Sequence, residues 1–174
     1  MAKIAAPRQD EVFITRGAPD AEARSVQRKA KEGELVRLTE GVYIKQKDPK
    51  GQEAVVRRNW SRILGAVVPG GVVSHRSAYV GGITPDNAIV LSHPSRYNKT
   101  LELPGLRVNL VKGPGPLPGD MPIGNDGLHF ASRPRQLLEN LSRSRGPQGK
   151  AAGAKAVEER LVRIMNASGE AELN

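Results

Sequence analysis

ARSVQRKAKEGELVRLTEGVYI, residues 23–44, contains a short basic helix, a glycine stop and two β-prone runs that turn on a second glycine. Pro19 and Asp20 supply a start signal, Asp because its carboxylate accepts hydrogen bonds from the free N–H groups of a first turn. Glu22 suits the positive end of the helix dipole, so the helix is expected from about Ala21. Ala23, Val26 and Ala30 recur at helical spacing on one face. Arg24, Arg28 and Lys31 recur on another, with Lys29 beside them. Gly33 ends the helix, since glycine takes the left-handed conformation without steric penalty. Leu35 to Leu38 then read as a strand, Thr39-Glu40-Gly41 as a turn and Val42 to Ile44 as the return strand. A helix sized for the major groove beside a basic hairpin has the parts of a winged helix-turn-helix reader of DNA.

Composition is consistent with that direction. The chain has 174 residues, 38% of them hydrophobic, and Lys plus Arg exceed Asp plus Glu by 27 to 18, so polyanions are attracted to it. The excess is spread along the chain and does not by itself locate a site. The absence of cysteine excludes disulfides, thiolate metal sites and thiol catalysis. The N-terminus has no sustained apolar region and no long apolar run occurs, so neither secretion nor membrane insertion is expected and the cytoplasm is the expected compartment.

Outward from the helix and hairpin, a Lys/Gly/Pro-containing break from Gln46 to Gln52 precedes a helix over Ala54 to Val68, where Trp60 reads as core. Val72-Val73 begin a short strand, and Ser74 or Ser77 caps a brief helix closed by Gly81-Gly82. Ala88 to Ser92 and Leu106 to Val111 read as strands with the polar loop SHPSRYNKT between them. Lys112 to Gly127 is so rich in Gly and Pro that it reads as a surface loop without a packed element. Leu128 to Ala131 reads as a last strand, followed by a helix with Leu137, Leu138 and Leu141. The expected class is α+β: a winged-helix DNA-binding domain over residues 1–48, a mixed module with short strands over 53–142, a flexible basic linker over 143–155 and a C-terminal amphipathic helix over 156–168. That last helix places Val157, Leu161, Ile164 and Met165 on one face.

GELVRLTEGVYI resembles the wing of the N-terminal domain of AbiEi-type antitoxins, the regulatory half of type IV toxin-antitoxin systems, marked by a GxLxRLxxGVY-like string. VVSHRSAYVGG and LHFASRPRQLLENL are similar to two later strings of that family, and the three together span residues 15–142. The resemblance implies a regulator that represses its own operon and neutralises a nucleotidyltransferase toxin. One departure is that AbiEi-like readers carry one or two helices before the recognition helix, whereas here only Gln9 to Arg16 precede it, and VFIT reads as a strand. A second resemblance, of SHRSAYVGGITPDNAIVLSH, LELPGLRVNLVKGPGPLPGD and the tail AVEERLVRIMNASGEAELN, is to the N-terminal region of some Fic-family proteins. It implies a protein-interaction module that docks on a Fic catalytic domain. The HPFxxGNGR-like loop of Fic catalysis is absent, for His93-Pro94 is followed by Ser95, Arg96 and Tyr97.

No enzyme chemistry is expected. His75, His93 and His129 lie far apart and none forms an i, i+4 pair, so no metal is expected; with no Walker-type loop, neither is a cofactor. Ser74-His75 sets a hydroxyl beside a base, yet no carboxylate is evident to orient the imidazole, and the segment reads as a structural corner. Six aromatic residues are too few for an RNA-stacking platform. The expected partner is double-stranded DNA. Arg24, Arg28, Lys29 and Lys31 approach the major groove, and Arg16, Arg37 and Lys45 engage phosphate. The second module serves homodimerisation, further backbone contact through Arg57, Arg58 and Arg62, or docking of a toxin.

Overall fold

The computed structural model describes residues 11–95, 99–125, 127–141 and 150–168, and over these the chain is a mixed α+β protein with two sheets. The small sheet comprises β1 (Val12–Ile14), β2 (Val36–Thr39) and β3 (Val42–Ile44), antiparallel in the order β1-β3-β2. Helix α1 (Asp20–Lys31) connects β1 to β2. Because side chains alternate along a strand, Val12, Ile14, Val36, Val42 and Ile44 face one way, into the main core. Phe13 and Tyr43 face the other, against Val26 and Ala30 of α1.

Local chemistry explains these elements, with small departures from expectation. The helix starts at Asp20, one residue early, and no side chain caps it; Pro19 precedes it at φ −55° and Asp20 instead faces Arg24. At the other end Gly33 adopts φ +76°. Its N–H donates to the Ala30 carbonyl and that of Glu34 to the Lys29 carbonyl, the paired bonds that close a helix on a left-handed residue. The β2–β3 hairpin turns at Gly41 (φ +74°), whose carbonyl accepts from the Thr15 N–H. The hairpin register slips between Arg37 and Thr39, so Leu38 sits in a bulge.

Helix α2 spans Pro49–Val67, so the expected break is shorter than its composition suggested. Asp48 caps the helix by accepting from the Gly51 N–H at 2.7 Å, and Pro49 takes the first position, where its missing N–H costs nothing. The Gly51 N–H, helped by the Gln46 amide, holds the Asp48 carboxyl below its ordinary range. The helix kinks at Asn59, whose buried amide donates to the Val55 carbonyl one turn back and competes with the backbone ladder.

The large sheet has six strands: β4 (Val72–Val73), β5 (Ala88–His93), β6 (Lys99–Leu103), β7 (Leu106–Lys112), β8 (Met121–Ile123) and β9 (Leu128–Phe130). They run in the order β6-β7-β5-β4-β9-β8, with β5/β7 and β4/β9 parallel. Two of these strands correct the sequence reading. β6 begins within the expected polar loop, at Lys99, and β8 lies within the Gly/Pro-rich segment. Both are outermost strands, and Pro122 is tolerated in β8 because only one side of that strand pairs.

Helix α2 lies between the sheets. Val55, Val56, Ile63 and Leu64 form one core with Val12, Val42 and Ile44 of the small sheet and Ile89, Leu91, Val108, Leu110 and Leu128 of the large one, with Trp60 packed against it. On the far face of the large sheet lie α3 (His75–Val80), α4 (Arg133–Leu141) and α5 (Ala154–Ser168). Residues 143–149 of the expected linker lie outside the described residues. Lys150 to Gly153 are tied down, the Lys150 carbonyl by the Arg76 N–H and the Ala152 N–H by the Asn140 side chain, and α5 begins at Ala154. Val157 is buried and Leu161 and Ile164 half-buried, whereas Met165 is exposed, departing from the expected apolar face. Tyr79 donates its hydroxyl to the Ala156 carbonyl, and Arg160 stacks on the Tyr79 ring while donating to its carbonyl, which latches α5 to α3. No helix among the described residues is long and apolar enough to cross a membrane.

Candidate functional site

The basic residues singled out in the sequence fall into three groups around α1. Arg24, Arg28 and Lys31 are exposed on α1, whose Val26 is buried against the small sheet. Arg24 faces Asp20 at 3.8 Å, but with side chains 79% and 92% exposed this pair contributes little and releases its guanidinium readily. Lys29 lies half-buried on one shoulder of the helix.

The second group lines a concave groove of about 690 Å³ between α1 and the hairpin. Arg16 enters it from the segment after β1, Lys31 from the end of α1 and Arg37 from β2, while Tyr43 contributes to the wall and Glu40 is the acidic residue at the rim. The Arg37 Nε donates to the Thr39 carbonyl at 3.3 Å, which fixes the guanidinium near the hairpin tip. Gln27 lines the same groove. The sequence reading passed over it, because a single neutral polar residue in a basic helix has no periodic signature.

The third group is at the β1 edge, where Lys45 and Arg62 line a smaller cavity with Phe13, Glu22 and Val26; the Lys45 Nζ lies 5.5 Å from the Phe13 ring centroid. Arg57 and Arg58 are not drawn into any of these groups. Arg57 donates to Asn87, and Arg58 donates to both carboxylate oxygens of Glu11 at 3.0 Å, an ion pair that ties α2 to the start of β1.

A second polar constellation sits on the far face of the large sheet. Helix α4 buries Arg135, Gln136 and Asn140 and exposes Leu138 and Leu141. Arg135 donates to Glu139 at 2.7 Å, to Asp120 at 2.6 Å, to Ser92 at 2.7 Å and to the carbonyls of Pro114 and Gly115 at 3.0 Å. Burial raises the Asp120 carboxyl, but the N–H groups of Leu117 and Ser132 and the Arg135 guanidinium outweigh it and leave the group below its ordinary range. The remaining oxygen of Glu139 accepts from the His75 N–H at 3.1 Å and lies 3.9 Å from His75 Nδ1, so a carboxylate does face this imidazole, contrary to the sequence reading. Ser74 Oγ is 2.9 Å from the same Nδ1, yet Ser74 is fully buried and no substrate carbonyl can reach it. The network anchors the Gly/Pro-rich loop to α4 and α3.

His75 holds φ +50°, and burial pushes its imidazole below the ordinary value against the opposing pull of Glu139. With the folded value below the unfolded one of about 6.5, the unfolded chain binds more protons, so stability is full above that pH and declines as pH falls through the window beneath it. Asn tolerates a positive φ and does not titrate. His75→Asn is therefore expected to lose less stability than wild type between pH 7.5 and 5.5, read as the shift in urea midpoint; equal shifts in both proteins would remove His75 as the cause.

Compared with known protein families, with characterised proteins and with solved structures, the chain matches none.

Proposed function

We propose that this chain is a DNA-binding transcriptional regulator in which α1 is a recognition helix and the β2–β3 hairpin a wing. The observation that carries the reading is the convergence of Arg16, Lys31 and Arg37, from three separate elements, on one groove beside a helix whose outer face bears Arg24 and Arg28. Three cations that share a concave surface repel one another, and a phosphate backbone relieves that repulsion. The order β1-β3-β2, with the helix between β1 and β2, and the groove shared by helix and hairpin support the reading of the hairpin as a wing. On the resemblance to AbiEi-type antitoxins, the regulated operon is its own and the protein partner a nucleotidyltransferase toxin.

The test is binding of a labelled fragment from upstream of the gene, with competitor DNA. With Arg16, Lys31, Arg37 and Lys45 each on one phosphate, affinity is expected to fall roughly a hundredfold between about 50 and 200 mM salt. Arg24→Ala/Arg28→Ala is expected to reduce preference over competitor by at least about tenfold. Salt-insensitive binding, or selectivity unchanged in the double variant, would remove α1 as the reader.

A second reading rests on α4 and α5. Leu138 is 69% exposed, and Leu141, Val162 and Met165 are each at least half exposed, although the buried side of α4 is polar. An apolar face left outward in this way suits a protein partner, either the toxin or a Fic catalytic domain, and such a complex would respond little to salt.

A further inference from the structure

We infer that Gln27 reads adenine in the major groove, an assignment that rests on the DNA-binding reading above and names the base it selects. Gln27 is exposed on α1 and lines the groove with Arg16, Lys31 and Arg37. It lies three residues after Arg24 and four before Lys31, so all three belong to adjacent turns of one helix surface. Its carboxamide makes no hydrogen bond among the described residues, while the guanidinium of Arg37 is steadied by the Thr39 carbonyl. Ser25, the other uncharged polar side chain of α1, is half-buried and shorter.

The chemistry selects the base. In the major groove adenine presents an acceptor, N7, beside a donor, the N6 amino group, and a carboxamide offers the complementary donor and acceptor in one plane. Arg and Lys donate only and match guanine, whose O6 and N7 both accept. The cations of the groove hold the backbone on the hairpin side of α1, which fixes the register in which Gln27 meets a base edge. Backbone contacts of this kind carry no sequence information, so within the groove Gln27 is the residue that distinguishes one duplex from another.

The experiment is selection from a randomised duplex DNA library by the full chain as wild type, Gln27→Ala and Gln27→Glu, with thermal unfolding of each variant as the check that the exposed substitution leaves the fold intact. Wild type is expected to enrich a site containing an adenine whose replacement weakens binding roughly 5- to 150-fold. Gln27→Ala is expected to lose the preference at that position alone, with the rest of the site and the salt dependence retained. Gln27→Glu, which can only accept, is expected to move the preference to cytosine, whose N4 amino group donates. Variants that keep the wild-type preference at every position would overturn the assignment of Gln27 while leaving DNA binding in place. Absence of selective enrichment by wild type would overturn the DNA reading and this assignment together.

Discussion

Arg135→Met is expected to destabilise the protein by about 3–5 kcal/mol, the largest stability loss foreseen for a single polar side chain here. The guanidinium is 6% exposed and the Asp120 side chain buried, so the substitution leaves a buried carboxylate held only by the Leu117 and Ser132 N–H groups. Glu139 and the carbonyls of Pro114 and Gly115 lose donors as well. Removing a charge from a buried pair costs more than never having had the pair, because desolvation of the survivor is then uncompensated. Arg135→Met/Asp120→Asn is accordingly expected to be less destabilised than the sum of its single variants, and the cycle measures the coupling. The acid limb carries the same information. Asp120 titrates below its ordinary value in the folded state, so its contribution is present above about 3.8 and lost as pH falls through the folded value; without Arg135 the folded value moves up towards the unfolded one and less stability is lost on acidification. Urea titrations at pH 7 and in acid measure both effects. A cost below about 1 kcal/mol for Arg135→Met would mean that water reaches Asp120 and that the network does not hold the loop.

The helix and hairpin were legible because their determinants are local. The spacing of Val26 and the stops at Gly33 and Gly41 are set within a few residues, and both glycines adopt the positive φ that suits a helix end and a tight turn. The start of α2 is equally local but falls in the expected break from Gln46 to Gln52: Lys47 to Gly51 has loop composition, yet Asp48-Pro49 is a cap followed by a first-turn proline. β6 and β8 were illegible for a different reason. Leu101 and Leu103 alternate with Thr100 and Glu102, a short strand signal masked by the polar run before it, whereas β8 with Pro122 carries none, and both strands are held by the ladders that β7 and β9 offer. The orientation of α4 was also out of reach. Its leucines suggest an apolar buried face, but Arg135 turns inward because Asp120, 15 residues earlier, is brought beside it by the fold. At the candidate site, Arg24, Arg28 and Lys31 were readable as a stripe. That Arg16 and Arg37 join Lys31 while Lys45 joins Arg62 on the other side depends on how β1 pairs with β3.

Arg16→Ala/Lys31→Ala/Arg37→Ala is expected to flatten the salt dependence of DNA binding by about 2.7 in the slope of log affinity against log salt, at 0.9 for each phosphate released. Counterion release contributes nothing at 1 M salt, so extrapolation back to 0.1 M predicts a loss of roughly 500-fold in affinity. The loss falls equally on every sequence, since phosphates are alike. Selectivity between the operator fragment and competitor is therefore expected to survive in the triple variant, although it falls in Arg24→Ala/Arg28→Ala. That contrast separates backbone contact from base readout more sharply than affinity does, because a misfolded variant would lose both. Glu40 supplies an internal control: it lies at the rim of the same groove, and Glu40→Gln removes a like charge from the path of the backbone. It is expected to strengthen binding while the triple variant weakens it. If the triple variant keeps the wild-type slope, the groove between α1 and the hairpin points away from DNA, and the apolar face of α4 and α5 becomes the surface through which this chain acts.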